Sequence, residues 1–456
     1  MIRVRKVATA SLIALLSACG GGSESGGAAP TPMPIPTPTP TPTPAPTTFS
    51  VVAAGPVLAR ALFDVNGDGS IGEALSTTNA NGEFGQGVAV LNTSLNSGNA
   101  PTSPTLRMGA SGIDVTTGLT IIDMTAPVGA TVISPLTTLI DIQGGAGSVR
   151  SALGLDNGPN ALRGETDLLK FNPALNWRSN DTAIARDAGR LTTINMQLLA
   201  LAAYITEFSD PVDTAISLAK ASRHISGAMV TRGTLDLTNS ADIEAIMSAA
   251  NPNPDPSIPA EWRQSRADLI AKYMAAMPVR LTSEEEVRAW AYAFRFYILP
   301  ELLILGRTWP NPAAARIAAI QTADIVAAAE SLRSAPTPAI GTLMAVPDYR
   351  EVTASPSSAY PAYSLALSEC NWNVGSGVER LPGCNDWQPF IGVQFSELVA
   401  IQATEPHNLA VNLTNGSVQF NRVGSFTGLT RVTYAGRLSS GETATGVIFV
   451  RVREPD

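Results

Sequence analysis

The chain has 456 residues, of which 45% are hydrophobic and 15% are charged, and its formal net charge at pH 7 is −8. This length is enough for two or three domains, each with a core of its own. An acidic chain without a cluster of lysines and arginines argues against nucleic acid as a partner and against electrostatic binding to anionic lipid.

The first residues have the layout of a secretion signal. Basic residues precede an apolar run over 7–16, which is too short to span a bilayer, and Ser17, Ala18 and Cys19 follow. Because the small residues end on a cysteine that precedes three glycines, the segment resembles a bacterial lipobox. The resemblance implies that 1–18 is a signal peptide and that Cys19 carries a diacylglyceryl anchor in a membrane. The alternative is an ordinary signal peptide whose cysteine is coincidental.

A tether of two compositions follows over 19–48. Its glycine- and serine-rich start leads into PTPMPIPTPTPTPTPAP, which favours extended polyproline II and predicts a stiff spacer. The alternative role is that of a ligand for a proline-binding module. Gly20 stands where an aspartate would retain a lipoprotein elsewhere, so the start of the tether resembles lipoproteins sent to the outer membrane. We expect a lipid-anchored protein at the cell surface, with the periplasmic face of that membrane as the alternative.

Short apolar runs separated by Gly, Asn, Asp and Pro fill 49–133 and predict an N-terminal β-sandwich with turn-rich connections. The stretch GPVLARALFDVNGDGSIGEALSTTNANGEF resembles the prealbumin-like repeat of bacterial surface adhesins and carboxypeptidase-regulatory-like domains. A later stretch, APVGATVISPLTTLI, resembles the segment that closes this repeat. The resemblance implies a surface-exposed sandwich and says little about its ligand.

The loop DVNGDGSIGE, residues 64–73, predicts a structural calcium site. Its oxygen-bearing residues alternate as in the first half of an EF-hand loop, and a glycine allows the sharp turn. Leu75 stands where a bidentate glutamate is usual, and comparison with the repeats it resembles gives the last role to Glu73. The expected ligands of Ca²⁺ are Asp64, Asn66, Asp68, Ser70 and Glu73. The alternative is an aspartate-rich hairpin turn that binds no metal.

Between 134 and 336, alanine-rich segments carry apolar residues at helical spacing and predict a central α-helical bundle domain. Ser283 and Glu286 have the spacing of a capping box at the start of one helix. Trp290, Phe294 and Tyr297 form a stripe on the same helix, and such a stripe indicates core packing more often than a ligand site. The predicted helices are 181–208, 211–229, 240–250, 261–277, 283–305 and 311–334.

Strand patterns return over 337–456, in FIGVQF, LVAIQA, GSVQF, RVTYAG and TGVIFVRV. The tail from LTNGSVQF onwards resembles the cadherin-like or immunoglobulin-like repeats of bacterial surface proteins, with Phe426, Gly428 and Tyr434 at the matching places. It lacks the Asp-Gly that usually precedes the last strand. The whole chain is thus predicted to be a multidomain α+β protein, with an N-terminal β-sandwich, a central α-helical bundle domain and a C-terminal β-sandwich-like domain.

Two cysteines besides Cys19, namely Cys370 and Cys384, lie in the C-terminal segment. In an oxidising compartment they are predicted to form a disulfide, which would stabilise the fold by about 3 kcal/mol on the chain-entropy model. The alternative is a pair of free buried thiols. The aromatic residues nearby either pack this closed segment or stack on sugars; they are Trp372, Trp387 and Phe390.

The sequence contains few signs of catalysis. His224 and His407 lie outside any motif that binds zinc, and the chain carries no nucleophile elbow, phosphate-binding loop or dinucleotide fingerprint. A pair of carboxylates for glycoside hydrolysis is defined by its separation in space, and the candidate members are Asp255, Asp268 and Glu301.

Three functions are consistent with these patterns. The first is a non-enzymatic, lipid-anchored envelope protein in adhesion, matrix attachment or scaffolding. The second is an accessory envelope lipoprotein that captures a peptide, a glycan or a protein partner, for which an apolar groove between the helices would be the structural sign. The third is a hydrolase with an unrecognised carboxylate site, whose sign would be two carboxylates of opposed pKa in one cleft.

Overall fold

A computed structural model describes the helical part of the chain almost completely and parts of the strands on either side of it. Short strands and some helix ends are described by their backbone alone. Side chains and backbone are described at 106–108, 121–157, 161–164, 166–206, 216–251, 260–299, 301–302, 315, 317–333, 402–404, 406, 408–411, 420, 422–435 and 447–452.

The N-terminal part contains short strands, as its sequence pattern predicts. They are β1 (Thr47–Phe49), β2 (Val52–Ala53), β3 (Leu58–Ala59), β4 (Leu62–Asp64), β5 (Glu73–Ala74), β6 (Ala89–Leu91), β7 (Arg107–Met108), β8 (Gly112–Asp114), β9 (Thr120–Ile122) and β10 (Val132–Ile133). Two small sheets have the strand orders β5-β4-β7 and β1-β6, and β2 pairs with β10 in parallel. Their assembly into a sandwich stays a prediction.

The helices that follow begin at α1 (Pro135–Gln143) and α2 (Ala146–Ala152). The remainder are α3 (Pro173–Asn176), α4 (Thr182–Ser209), α5 (Leu218–Arg232), α6 (Ser240–Ala250), α7 (Ala260–Ala276), α8 (Glu284–Ala293), α9 (Pro312–Ala319) and α10 (Thr322–Leu332). The predicted helices beginning at 181, 240 and 261 are confirmed to within a residue or two. Among the described helices, none has the length and the hydropathy that crossing a bilayer would require.

The helix predicted over 211–229 is wrong at its start. Residues Ala215–Ser217 form β11, which pairs in parallel with β9 and extends the sheet to the order β11-β9-β8-β3. Ser217 then caps α5, because its extended backbone lets the side chain accept a hydrogen bond from the Lys220 N–H at 3.3 Å. Pairing with a distant strand thus overrides the local helical pattern.

The helix predicted over 311–334 divides into α9 and α10 at Ile320. Lys272 donates from Nζ to the carbonyls of Ala318 (3.2 Å) and Ile320 (2.8 Å), which satisfies the end of α9. The next helix begins when the Asp324 carboxylate accepts from the Gln321 N–H at 2.8 Å. Lys272, from outside the segment, therefore ends α9, and Asp324, from within it, begins α10.

At the start of α8 the capping box is confirmed only in part. The Ser283 hydroxyl accepts from the Glu286 N–H at 3.2 Å, as predicted. The Glu286 carboxylate does not return to Ser283. It accepts instead from the N–H (2.8 Å) and the hydroxyl (3.1 Å) of Thr282, which offers two donors one residue earlier.

The aromatic stripe on this helix lies in the core, as predicted for Trp290 and Phe294, which are both buried. Each contacts the ring of Tyr273 from α7, whose hydroxyl donates to the Trp290 carbonyl at 2.8 Å. Beyond Ala293 the helix continues as a π-helix over Phe294–Ile298. Tyr297, the third member of the stripe, lies under the guanidinium of Arg451 at 4.5 Å.

The C-terminal strands form two sheets. The strands are β12 (Asp348–Thr353), β13 (Tyr363–Ser364), β14 (Phe395–Ala403), β15 (Leu409–Thr414), β16 (Ser417–Arg422), β17 (Gly428–Leu438) and β18 (Thr443–Arg453). A four-stranded sheet has the order β12-β18-β17-β14, and a three-stranded sheet has the order β13-β16-β15. The predicted strands at 398–403, 416–420, 431–436 and 445–452 are confirmed, whereas their likeness to cadherin or immunoglobulin repeats stays a prediction.

One hydrophobic core joins the helices to β18. Phe449 stacks on Phe296 with ring centroids 4.4 Å apart and contacts Tyr292 at 5.2 Å. Arg451 forms a buried ion pair with Glu301 and donates to the Tyr297 carbonyl at 2.7 Å. The last strand therefore packs directly on the π-helix and its neighbours. The predicted domain boundaries at 133 and 336 stay predictions.

Candidate functional site

The predicted calcium ligands are described only at the two ends of their loop. Asp64 ends β4 and Glu73 begins β5, and these strands pair with Leu62 opposite Ala74 and Phe63 opposite Glu73. The loop therefore connects two antiparallel strands, which suits both a calcium loop and a hairpin turn. Asn66, Asp68 and Ser70 lie outside the described residues. Among the residues with described side chains, no three His, Cys, Asp or Glu are grouped to hold a metal ion.

Several other predicted positions lie outside the described residues. They are Cys19, Cys370, Cys384, Trp372, Trp387, Phe390, His407 and Asp255. The anchor, the disulfide and the choice between sugar stacking and packing all stay predictions.

The remaining candidates for catalysis are described and have different partners. Asp268 accepts from the Gln264 amide at 2.8 Å, whereas Glu301 is buried against Arg451. His224 places Nδ1 3.1 Å from the Ala249 carbonyl, and its pKa is lowered, chiefly by burial. Asp268 is thus bonded to a side chain of its own helix, whereas Glu301 is paired with a side chain of β18.

The feature that the sequence patterns missed is a cavity of about 340 Å³ among the helices. It lies between the end of α2, the middle of α4, the end of α7 and the segment 234–238 after α5. Its apolar wall includes Leu153, Ile194, Leu235, Met274 and Met277, and its polar groups include Asn157, Arg190, Gln197, Asp236 and Thr238.

One face of α4 supplies the polar floor of this cavity. Arg190, Ile194 and Gln197 are spaced i, i+4 and i+7, so their side chains share that face. Gln197 is fixed by the donation of its amide Nε2 to the Met274 carbonyl at 3.3 Å. Thr193 donates its hydroxyl towards the carbonyls of Gly189 (3.2 Å) and Pro278 (3.0 Å). These bonds join α4 to the end of α7 and fix the floor.

The position of Arg190 is fixed by the close contact between the preceding residue, Gly189, and the segment 280–282. At Gly189 a Cβ would lie only 3.0 Å from the Arg280 Cβ and 3.2 Å from the Leu281 carbonyl oxygen. The Leu281 N–H donates to the Gly189 carbonyl at 3.1 Å. The helix can approach the 280–282 segment this closely because position 189 has no side chain, and this sets where Arg190 enters the cavity.

The Arg190 guanidinium is largely withdrawn from water and incompletely paired. Its Nε is buried and has no hydrogen-bond partner among the described residues. Burial lowers the pKa of Arg190, and the charge of Asp236 acts in the opposite direction. A buried donor without an acceptor costs about 1–3 kcal/mol. The site thus holds a charged donor that a bound anion would satisfy.

Another part of the cavity lining, the segment 234–238, is an ordered, acidic turn. Asp236 Oδ1 accepts from the N–H (2.9 Å) and the hydroxyl (2.7 Å) of Thr238. The Asp236 N–H donates to Asp242 at 2.7 Å, and Asp242 forms an ion pair with Arg232 at 2.6 Å. The carboxylate of Asp236 therefore remains at the exposed rim, whereas the charge of Asp242 is matched by Arg232.

Comparison with known proteins adds no information about this site. No protein-family model matches the chain, and neither the curated proteins nor the solved structures contain a match.

Proposed function

We propose that this protein is an envelope lipoprotein whose helical part binds a small polar ligand without transforming it. The observation that carries the proposal is the Arg190 Nε, a buried donor without a partner inside a preformed cavity. Other buried polar atoms without a hydrogen-bond partner occur in the described part of the chain, such as Arg288 Nε, but Arg190 differs from Arg288 because it lines a cavity that a ligand can enter. This modifies the accessory binding function inferred from the sequence, with a small molecule in place of the peptide, glycan or protein partner expected there.

Binding is favoured over hydrolysis because both carboxylates at the cavity already have structural roles. Asp242 is paired with Arg232, and Asp236 accepts two hydrogen bonds from Thr238. A general acid and base require carboxylates whose protons can move at the reacting bond. The residues around this cavity instead provide recognition at fixed positions.

The expected localisation of the protein is based on the sequence alone. The Cys19 segment and the proline-rich tether support a lipid anchor with a stalk, and adhesion with a calcium loop stays a prediction based on 49–133 and 337–456. Protease treatment of intact cells tests the expected face of the membrane. Release of the helical part after a cut in 20–46 supports the cell surface, whereas protection until the outer membrane is breached supports the periplasmic face.

Ligand binding can be tested with methionine methyl groups as reporters. Met274 and Met277 line the cavity, whereas Met229 is buried in α5 and does not. In spectra of protein labelled at the methionine methyls, we expect members of a library of small polar compounds to shift the signals of Met274 and Met277 and leave that of Met229 unchanged. A library in which no compound shifts the first two signals would contradict the proposal.

A further inference from the structure

We infer that the cavity is built for a small zwitterion with an apolar side chain, that is, a free apolar amino acid or the same groups at the ends of a very short peptide. This rests on the proposed binding function and goes further by naming the class of ligand. Three parts of the cavity support it: the Arg190 guanidinium, the Asp236 carboxylate and the apolar side chains that line the same cavity.

Arg190 selects a carboxylate. A guanidinium presents Nε–H beside an Nη–H in a planar fork that matches the two oxygens of a carboxylate. The Nε–H of Arg190 has no acceptor among the described residues, so the side-on edge of this fork lacks at least one bond. Since burial disfavours the charged form of Arg190, an anion at this edge would also restore the solvation that the guanidinium lost.

Asp236 selects a cation. It lies at the exposed rim of the same cavity, and the hydrogen bonds to Thr238 fix its carboxylate through Oδ1. An ammonium group of the ligand can bind the carboxylate there without displacing an existing ion pair. The pair of Asp242 with Arg232 adds no net charge, so Arg190 and Asp236 leave the cavity close to neutral. A ligand with one charge of each sign matches this arrangement, whereas a simple anion or a simple cation satisfies only one side.

The apolar wall and the volume of the cavity limit the chemistry and the size of the ligand's side chain. Leu153, Ile194, Leu235, Met274 and Met277 offer an apolar surface that favours a hydrocarbon side chain. A volume of about 340 Å³ lies at the lower end of the range for ligand pockets. The cavity therefore suits a compact molecule of the size of an amino acid or a dipeptide.

Isothermal titration with three probes of one hydrocarbon skeleton tests this inference. The probes are L-leucine, 4-methylpentanoate, which lacks the ammonium group, and 3-methylbutylamine, which lacks the carboxylate. We expect leucine to bind at least about tenfold more tightly than either truncated probe, since a charged hydrogen bond is lost in each. Equal affinity of leucine and a truncated probe, or no binding of any of the three, would overturn the inference.

Matched variants assign the two charges. Arg190→Gln should weaken leucine binding at least about tenfold and 4-methylpentanoate binding likewise, whereas Arg223→Gln, at an exposed position on α5, should change neither. Asp236→Asn keeps the acceptor for Thr238 and should weaken leucine but not 4-methylpentanoate. Asp167→Asn is its control, because Asp167 accepts from the Leu169 N–H at 3.0 Å in a similar exposed turn away from the cavity.

Different results would overturn the binding function of the cavity and the class of ligand inferred for it. If leucine binding is unchanged in Arg190→Gln, the inference is overturned even when other compounds shift the Met274 and Met277 methyl signals, and the proposed binding function then stands. If no compound shifts those signals, both proposals are overturned. The methyl spectra of the variants also show whether each is folded, so that lost binding is not confused with lost structure.

Discussion

Asp187 and Arg190 lie three residues apart on α4, and their side chains differ in how well their polar atoms are hydrogen-bonded. The Asp187 carboxylate is fully buried and accepts from the N–H groups of Arg163 and Gly164, both at 2.8 Å, and from the Thr166 hydroxyl at 2.7 Å. It is satisfied and ties a loop to the helix. Arg190 is half-buried and its buried Nε has no hydrogen-bond partner among the described residues, which opposes folding and favours a ligand.

Replacing Asp187 by Ala should lower the free energy of unfolding by about 3 kcal/mol or more, because two backbone donors and a hydroxyl lose their acceptor inside the protein. Asp181→Ala, at the residue just before the same helix, is the matched control. Asp181 accepts from the Ala183 and Ile184 N–H groups at the exposed end, and its loss should cost only about 1 kcal/mol. Urea unfolding of both variants checks this, and equal costs would show that the buried carboxylate has no special role.

Tyr273 gives a prediction for alkaline pH. Complete burial raises the pKa of its phenol above the ordinary value of 10.0. Because the folded form keeps the proton more tightly, the stabilisation is present below pH 10 and is lost as the pH rises above it. Tyr273→Phe should be less stable than the wild type by about 1 kcal/mol near neutral pH, through loss of the bond to Trp290.

The difference in free energy of unfolding between the wild type and Tyr273→Phe should fall to zero and reverse near pH 11. Each pH unit above the pKa of the unfolded tyrosine costs the wild type about 1.4 kcal/mol. Burial lowers the pKa of Arg266 to about 9 and gives the opposite slope, because the unfolded chain then binds more protons. Both proteins carry Arg266, so the difference between their urea curves isolates Tyr273. A gap that stays constant from neutral pH to pH 11 would contradict the raised pKa.

At the scale of the elements, two helical glycines differ in the space around them. A Cβ at Gly189 would lie 3.0 Å from the Arg280 Cβ and 3.1 Å from the Thr282 Cγ2, whereas a Cβ at Gly227 would have its nearest contact at 4.0 Å from the Ala249 Cβ. Packing therefore requires a glycine at position 189 only. Gly227 lowers the stability of α5 because a glycine loses more backbone entropy on folding than an alanine does.

Gly189→Ala should therefore destabilise the fold by about 1–2 kcal/mol, because overpacking outweighs the better helix propensity of alanine. Gly227→Ala should stabilise it by about 0.5–1 kcal/mol. Thermal unfolding of the two variants gives the test. If both alanines stabilise the protein, the close approach at Gly189 does not fix the position of α4.

The helical elements were predictable where local patterns decide them. The helices from Thr182 and Ser240 follow from apolar spacing, and the Trp290 and Phe294 stripe follows from the same spacing. The strand at 215–217 and the break at Ile320 were not predictable, because pairing with β9 and the long reach of Lys272 determine them. The π-helix likewise has no marker in the local pattern.

The cavity could be found from the sequence only in a limited sense. Arg190 and Gln197 interrupt the apolar face of α4, and a charge on an apolar face is a signal of a buried polar site. The partners of these residues come from 152–157, 234–238 and 274–279. The spacing on one helix cannot show which distant segments complete the site or that an Nε remains unpaired.

At the scale of the whole molecule, Phe449 couples the last strand to the helices. The side chain is fully buried between Phe296 and Tyr292. Phe449→Ala should lower the free energy of unfolding by about 3–5 kcal/mol. Val423→Ala, at a position that is 37% exposed, should change it by less than about 0.5 kcal/mol.

Circular dichroism of the helices and tryptophan fluorescence should report the same loss in Phe449→Ala, because the strand and the helices share one core. A variant in which the helices unfold as in the wild type would show that the C-terminal strand is energetically separate from them.

The central claim is that a ligand satisfies the Nε–H of Arg190, and this proton can be observed directly. In protein labelled with nitrogen-15 arginine, the Arg190 Nε–H signal is assigned by its loss in Arg190→Lys. Addition of a compound that shifts the Met274 and Met277 methyls should shift this signal and slow its exchange with water, as a new hydrogen bond requires. If the methyl signals shift while the Arg190 signal and its exchange stay unchanged, the compound occupies the cavity without using Arg190, and the account is contradicted.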